Sequence, residues 1–242
     1  MPPNPELMYK IAKQLIEKTK ELKNKRRYYF NSKRISKRIN EKGAARKIST
    51  ILKRLKEKEI INHDTTYNRY YITELNKEKL KRYEKELERT LILCYHQPLN
   101  HLEPPINIYQ IQDGEKKLIA QAKREGTFKP IYHIKEPEEY TIIFHQYKNT
   151  GFKITHKDKD IFKVQRTKIT RPLQGTFKDK RITITRTKGR KIELNTTHNK
   201  GLAQLKSYAF EKALFTYTEE IKELRIPLSA ALFAIKQRDV II

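Results

Sequence analysis

Six side chains with recognition chemistry crowd into AARKISTILKRLKEK, residues Ala44–Lys58: Arg46, Lys47, Ser49, Thr50, Lys53 and Arg54. None forms a nucleophile–base pair. Guanidinium and ammonium groups bind phosphate, while Arg and hydroxyls also reach base edges. The spacing predicts a helix, because Ile48, Ile51, Leu52 and Leu55 recur at i, i+3, i+4 and i+7. Opposite that apolar stripe fall Arg46, Thr50 and Lys53; Lys47, Ser49, Arg54 and Lys56 fill the flanks. A helix seated by one side and basic on the other suits a DNA major groove. The same pattern also describes a solvated basic helix, so the flanking elements must decide.

Composition narrows the partner. The chain has 242 residues, 37% hydrophobic and 34% charged, with a formal net charge of +26. That is polar but globular, and so basic a chain usually meets a polyanion, of which nucleic acid is the commonest. Residues 24–58 alone hold 14 Lys/Arg against 2 Glu. No run approaches the roughly 18 apolar residues of a membrane span, and the N-terminus MPPNPELMYK has no apolar signal core. One cysteine, Cys94, excludes an intrachain disulfide and a cysteine zinc site. The expectation is a cytoplasmic, nucleoid-associated protein with no membrane partner.

The neighbours build a sequence of short elements. Glu6–Lys23 reads as a helix and Arg27–Phe30 as a strand. Asn31-Ser32 is an N-cap for Lys33–Asn40, and Glu41-Lys42-Gly43 is a tight turn. After Lys58, strands Ile60–His63 and Arg69–Thr73 flank the polar turn Asp64–Asn68. In this order, residues 6–73 resemble a winged-helix (winged helix-turn-helix) DNA-binding domain of prokaryotic and archaeal regulators. The resemblance implies insertion of helix 44–58 in the major groove, with hairpin 60–73 as a wing on the backbone or minor groove. By residue type, Arg46 and Thr50 are the base readers, Lys33, Arg34, Lys37, Lys47, Lys53 and Arg54 the backbone contacts with Ser49 on the same surface, and Arg69 either serves the wing or is a solvated hairpin residue.

Asn76–His96 reads as one long helix, with Leu80, Tyr83, Leu87, Leu91 and Cys94 on a near-heptad seam. Two readings stand: packing within the chain, or a homodimer presenting two recognition helices about 34 Å apart to an inverted repeat. Cys94 itself reads as a small buried hydrophobe. Three prolines mark 98–105 as a linker between a domain 1–97 and a domain 106–242. In the second domain, 114–124 and 200–224 read as helices, Pro227 opens a last short helix, and the remainder reads as strands, clearest in the hairpin of 181–187 with 190–194. The fold class expected is α+β: an N-terminal winged helix, then an antiparallel sheet with covering helices.

No catalytic pattern emerges. The histidines are scattered, no His-x-His or HExxH is present, and the glycines are isolated. Asp158-Lys159-Asp160 reads as a polar turn, with a carboxylate metal site as the alternative. Tyr147 has no support as a nucleophile. No cofactor, metal or enzyme activity is expected. The function expected is double-stranded DNA binding by a transcriptional regulator, with a plasmid or viral replication initiator as the alternative and a nonspecific architectural or RNA-binding protein as a third class.

Overall fold

Asn4 caps the first helix, its Oδ1 accepting the Leu7 N–H at 3.2 Å. This helix, α1 (Pro5–Lys20), buries Leu7, Ile11 and Leu15 on one side. Then follow β1 (Tyr28–Phe30), α2 (Ser32–Arg38), α3 (Ala45–Glu57), β2 (Asn62–Asp64), β3 (Arg69–Ile72) and α4 (Asn76–Glu88). The computed structural model describes residues 4–22, 26–41, 43–95, 104–126, 130–145, 150–166, 172–187, 191–196, 200–209 and 212–237. The chain divides into two compact units, residues 1–89 with 111–116, and residues 90–110 with 117–242. The division falls ahead of the proline-rich 98–105 stretch, of which residues 98–103 lie outside the described residues.

In the first unit a three-stranded antiparallel sheet has the order β1-β3-β2. Phe30 and Ile72 are buried, as are Ile35 of α2 and Ile48, Ile51, Leu52 and Leu55 of α3. Helix α4 packs on α1 and stops at Glu88, well short of the expected His96. Its Leu80, Tyr83 and Leu87 are buried within this one chain. Leu91 and Cys94, read as the upper part of a helical seam, belong instead to a strand.

That strand opens a closed antiparallel barrel of twelve. Its members are β4 (Leu91–Tyr95), β5 (Ile106–Gln112), β6 (Glu115–Glu125), β7 (Ile131–Ile134), β8 (Tyr140–His145) and β9 (Thr150–His156). They continue with β10 (Lys159–Arg166), β11 (Leu173–Phe177), β12 (Lys180–Thr187), β13 (Lys191–Thr196), β14 (Ala203–Ala209) and β15 (Lys212–Tyr217). Each strand pairs with the next in sequence, and β15 closes on β4. A 3-10 turn at 219–224 leads into α5 (Arg225–Gln237). Every residue from Ile226 to Ala234 is buried, and α5 touches β4, β14 and β15 as well as β8 and β9. Those two groups stand nearly opposite one another around the ring, so α5 runs through the barrel interior. Twelve strands enclose more space than wall side chains can fill, and the helix occupies it.

Wall residues alternate accordingly. Leu93, Ile108, Ile142, Phe152, Ile182 and Phe215 face the helix; Lys123, Thr141, Lys153, Lys163, Thr183 and Gln204 face out. This polarity is the reverse of a membrane barrel, whose apolar band faces outward. Among the described residues no helix is long and apolar enough to cross a membrane. Close approach of strands at β10 is permitted by glycine on both sides. A Cβ on Gly151 or Gly175 would stand 2.0 Å from the carbonyl oxygen of Val164 or Lys163.

These findings correct the expected fold. The chain is not a winged-helix protein followed by a sheet with covering helices, because a twelve-strand closed barrel dominates it and its helix lies inside. Residues 114–124, read as a helix, are mostly β6. Only Ala120 and Ala122 mark its inner face, too small to show the two-residue period. The described part of 200–224 is β14, β15 and the 3-10 turn; the +3, +4, +3 spacing of Leu214, Tyr217, Ile221 and Leu224 arises by coincidence across two elements, and Phe210 lies outside the described residues. Lys157-Asp158 and Lys178-Asp179 are two-residue hairpin turns with both residues at positive φ. Asp160 pairs with Lys153 at 2.9 Å, and no metal-binding cluster occurs among the described residues.

Phe233, fully buried on α5, is the test of the filled barrel. Phe233→Ala is expected to destabilise the second unit by about 3–5 kcal/mol, read as a lowered denaturant midpoint. An unchanged midpoint would place α5 outside the wall.

Candidate nucleic-acid interface

Helix α3 is held by its apolar side and exposed on the other. Ile48, Ile51, Leu52 and Leu55 are at most 4% exposed, whereas Arg46, Lys47, Ser49 and Lys53 are exposed and Thr50 and Arg54 half-buried. Asn31 Oδ1 caps α2 by accepting the Arg34 N–H at 2.9 Å. The turn between α2 and α3 carries Asn40 and Gly43 at positive φ. It is braced by the Glu41 N–H donating to Ser36 O at 3.0 Å and by Ser36 Oγ donating to Glu41 O. Gly43, at φ +77°, meets the conformational demand anticipated for it.

The expected contact residues differ in how free they are. Arg46, Lys47, Lys53, Lys33, Lys37 and Arg69 make no ion pair or side-chain hydrogen bond among the described residues. Arg34 is committed: it donates to Tyr29 O at 3.2 Å and lies 5.1 Å over the Tyr28 ring. Arg38, not singled out from the sequence, lies 5.3 Å from the centre of the same ring. Thr50 Oγ1 donates its proton to Arg46 O at 3.2 Å, so it faces outward as an acceptor. Lys42 lies outside the described residues.

Beside α3, β2 and β3 pair as an antiparallel ribbon with Asn62 opposite Tyr71 and Asp64 opposite Arg69. Asp64 Oδ1 accepts the N–H groups of Thr66 and Tyr67, fixing the tip, and Tyr67 is 68% exposed there. His63 Nε2 meets Asn68 Oδ1 at 3.3 Å, and its ring lies against Tyr70, whose phenol is pushed up by burial. On the sheet, Arg27 lies 4.8 Å over the Tyr71 ring and donates to Tyr29 Oη at 3.4 Å.

The residue that ties ribbon to helices was not anticipated. Asn76 is 5% exposed, and its Oδ1 accepts from the Thr73 N–H, Thr73 Oγ1 and Asn62 Nδ2 at 2.8–3.1 Å. Its Nδ2 donates to Ile60 O at 3.0 Å. Ile60 follows directly on α3, where Glu59 takes φ +57° and the Ile60 N–H reaches back to Leu55 O. The signal was present as Thr73-x-x-Asn76, a polar pair at the start of a helix.

The chain matches no family model, no curated protein and no solved structure. The winged-helix and helix-turn-helix resemblance rested on element order and hydrophobic spacing. With no match behind it and a barrel protein in front of it, the resemblance is withdrawn, and transcription regulation with it.

Asn76→Ala is expected to leave the Ile60 carbonyl and Thr73 N–H unsatisfied and to cost about 2–3 kcal/mol. Amide exchange should speed up in 62–64 and 69–72 before it does in α1. Uniform exchange across the first unit would show that Asn76 does not hold the ribbon.

Proposed function

We propose that this protein binds double-stranded DNA, presenting the exposed face of α3 to the major groove and the β2–β3 ribbon to the adjacent backbone. The observation that carries the reading is where carboxylates are missing. From Leu22 to Lys56 the one acidic residue is Glu41, and Lys10 holds its carboxylate at 2.7 Å. Lys33, Lys37, Arg46, Lys47 and Lys53 make no ion pair among the described residues, and phosphate is the anion that a long basic strip fits. Ala44 offers α3 no side-chain cap, and the first turn of the helix has no acid, which leaves its positive end uncompensated.

Roles follow from chemistry. Lys33, Lys37, Lys47 and Lys53 are point charges for phosphate, which gives affinity without sequence. Arg46 can address guanine O6 and N7 with two parallel donors. Thr50, its proton used inside the helix, accepts from an exocyclic amine. Arg69 sits on the ribbon for backbone contact.

Titration of labelled duplexes against salt tests this. Lys53→Ala is expected to weaken all duplexes alike and to reduce the salt slope by about 0.9. Arg46→Ala is expected to cost about 1–3 kcal/mol on the preferred site only. If reversing the charge of both residues leaves duplex affinity unchanged, α3 is not the contact surface.

A further inference from the structure

We propose that the barrel has a peptide-binding edge: β6, over residues 117–121, accepts an extended acidic segment of a partner protein as an added strand. The ladder between β6 and β7 starts only at Ala122, opposite Ile134. Residues 115–121 of β6 run beyond it, because β7 ends at Ile134. Among the described residues, the backbone of 117–121 makes no hydrogen bond outside its own ladder. A strand pairs on both edges when it can, and one with a vacant edge is a template for another chain.

The space beside that edge is shaped for side chains. A cavity of about 310 Å³ is lined by Leu118, Gln121, Lys123, His133, Lys135 and Glu136. Leu118 is 50% exposed, one of three large hydrophobic residues so exposed among the described ones. An apolar side chain of the added strand would cover it. Cations outnumber acids around it, with Glu136 the one carboxylate in the lining, and the lysines are unspent. Lys117, Lys123 and Lys135 are exposed and make no ion pair among the described residues. His133 is occupied: Nε2 meets Glu125 at 3.0 Å and Nδ1 meets Thr141 Oγ1 at 3.4 Å. Three lysines around one apolar residue fit a strand that alternates carboxylate and apolar side chains. Since backbone pairing supplies the register, the two sides of the added strand fall automatically on lysine and Leu118.

The test uses the full chain and fluorescein-labelled peptides that alternate Glu and Val, followed by anisotropy. Two versions carry N-methyl groups on alternate residues, in opposite phases. Added-strand pairing requires that one phase bind about tenfold more weakly while the other binds as the parent does. The double variant Lys123→Glu with Lys135→Glu should lose about tenfold for the parent peptide, with duplex binding unchanged. Equal binding of both methylated phases, equal binding of a Lys/Val peptide, or no binding of the parent would overturn the proposal. So would self-association of the chain that Leu118→Lys disperses, which would make the occupant a second copy. The peptide phases require no variant of the protein, so a misfolded variant cannot obscure the result.

Discussion

Much of this structure answers to a problem of volume. A closed wall of twelve strands cannot be filled by its own side chains, and a void of that size would either flood or collapse. The solution is a helix that is apolar on every side. Arg225–Gln237 has no polar face from Ile226 to Ala234 apart from Ser229, whose hydroxyl donates to Ile226 O at 2.8 Å. Its small residues, Ser229, Ala230, Ala231 and Ala234, keep it slim, while Leu228, Leu232 and Phe233 reach the wall. Phe233 meets the Tyr95 ring at 5.1 Å centroid to centroid. The helix follows all twelve strands in the chain, so the wall residues gain their central packing partner only when residues 226–234 are present. Folding of this unit is therefore non-local by construction.

The first unit solves a smaller problem, holding a short basic helix at a fixed attitude. Its means are local: an Asn cap on α2, a glycine and an asparagine at positive φ in the α2–α3 turn, and one buried amide, Asn76, that joins α3's exit to the ribbon. Buried amides are worth most where every donor and acceptor is used, because an unsatisfied one is costly. Asn76 comes close to that condition, with three bonds to Oδ1 and one of its two Nδ2 donors used on Ile60 O.

Legibility in the sequence followed residue size and period. Helix α3, the Asn31 cap, the Gly43 turn and the β12–β13 pair were readable because Ile and Leu mark one face at the right spacing. Strand β6 was not, since its inner residues are alanines set among Lys, Glu and Gln, which favour helices. Strands β14 and β15 were hidden by an accidental heptad spacing across element boundaries. Closure of the barrel has no local signal at all. It depends on β15 finding β4 across more than a hundred residues, and no pattern in either strand names the other. The apolar Pro227 helix was visible as a segment, but only its uniform hydrophobicity hinted that it lay inside rather than over a sheet. On the interface, sequence offered the cations but not their state: Arg34 and the Thr50 hydroxyl are partly spent within the protein, whereas Lys53 and Arg46 are not.

Net charge alone is a poor guide to where such a protein binds, because its +26 is spread over both units. The distribution of acids is more telling. Outside α2 and α3, many lysines have a carboxylate in reach: Lys153 with Asp160, Lys178 with Glu223, Lys180 with Glu220, Lys222 with Glu219, and Lys18 with Glu21. Exposed pairs like these add little stability, so their presence is not explained by folding energy. What they do is flatten the local potential. Where no such pair is made, at Lys33, Lys37, Arg46, Lys47 and Lys53, the charge is left to act into solvent over about a Debye length, roughly 8 Å at physiological salt. Such a strip repels itself, and the buried apolar side of α3 holds it in place against that repulsion. A polyanion lowers that repulsion, whereas a neutral partner would leave it unrelieved. The same reasoning separates this strip from the lysines around Leu118. There the charges frame an apolar side chain and a vacant strand edge, and a short acidic segment can satisfy all three.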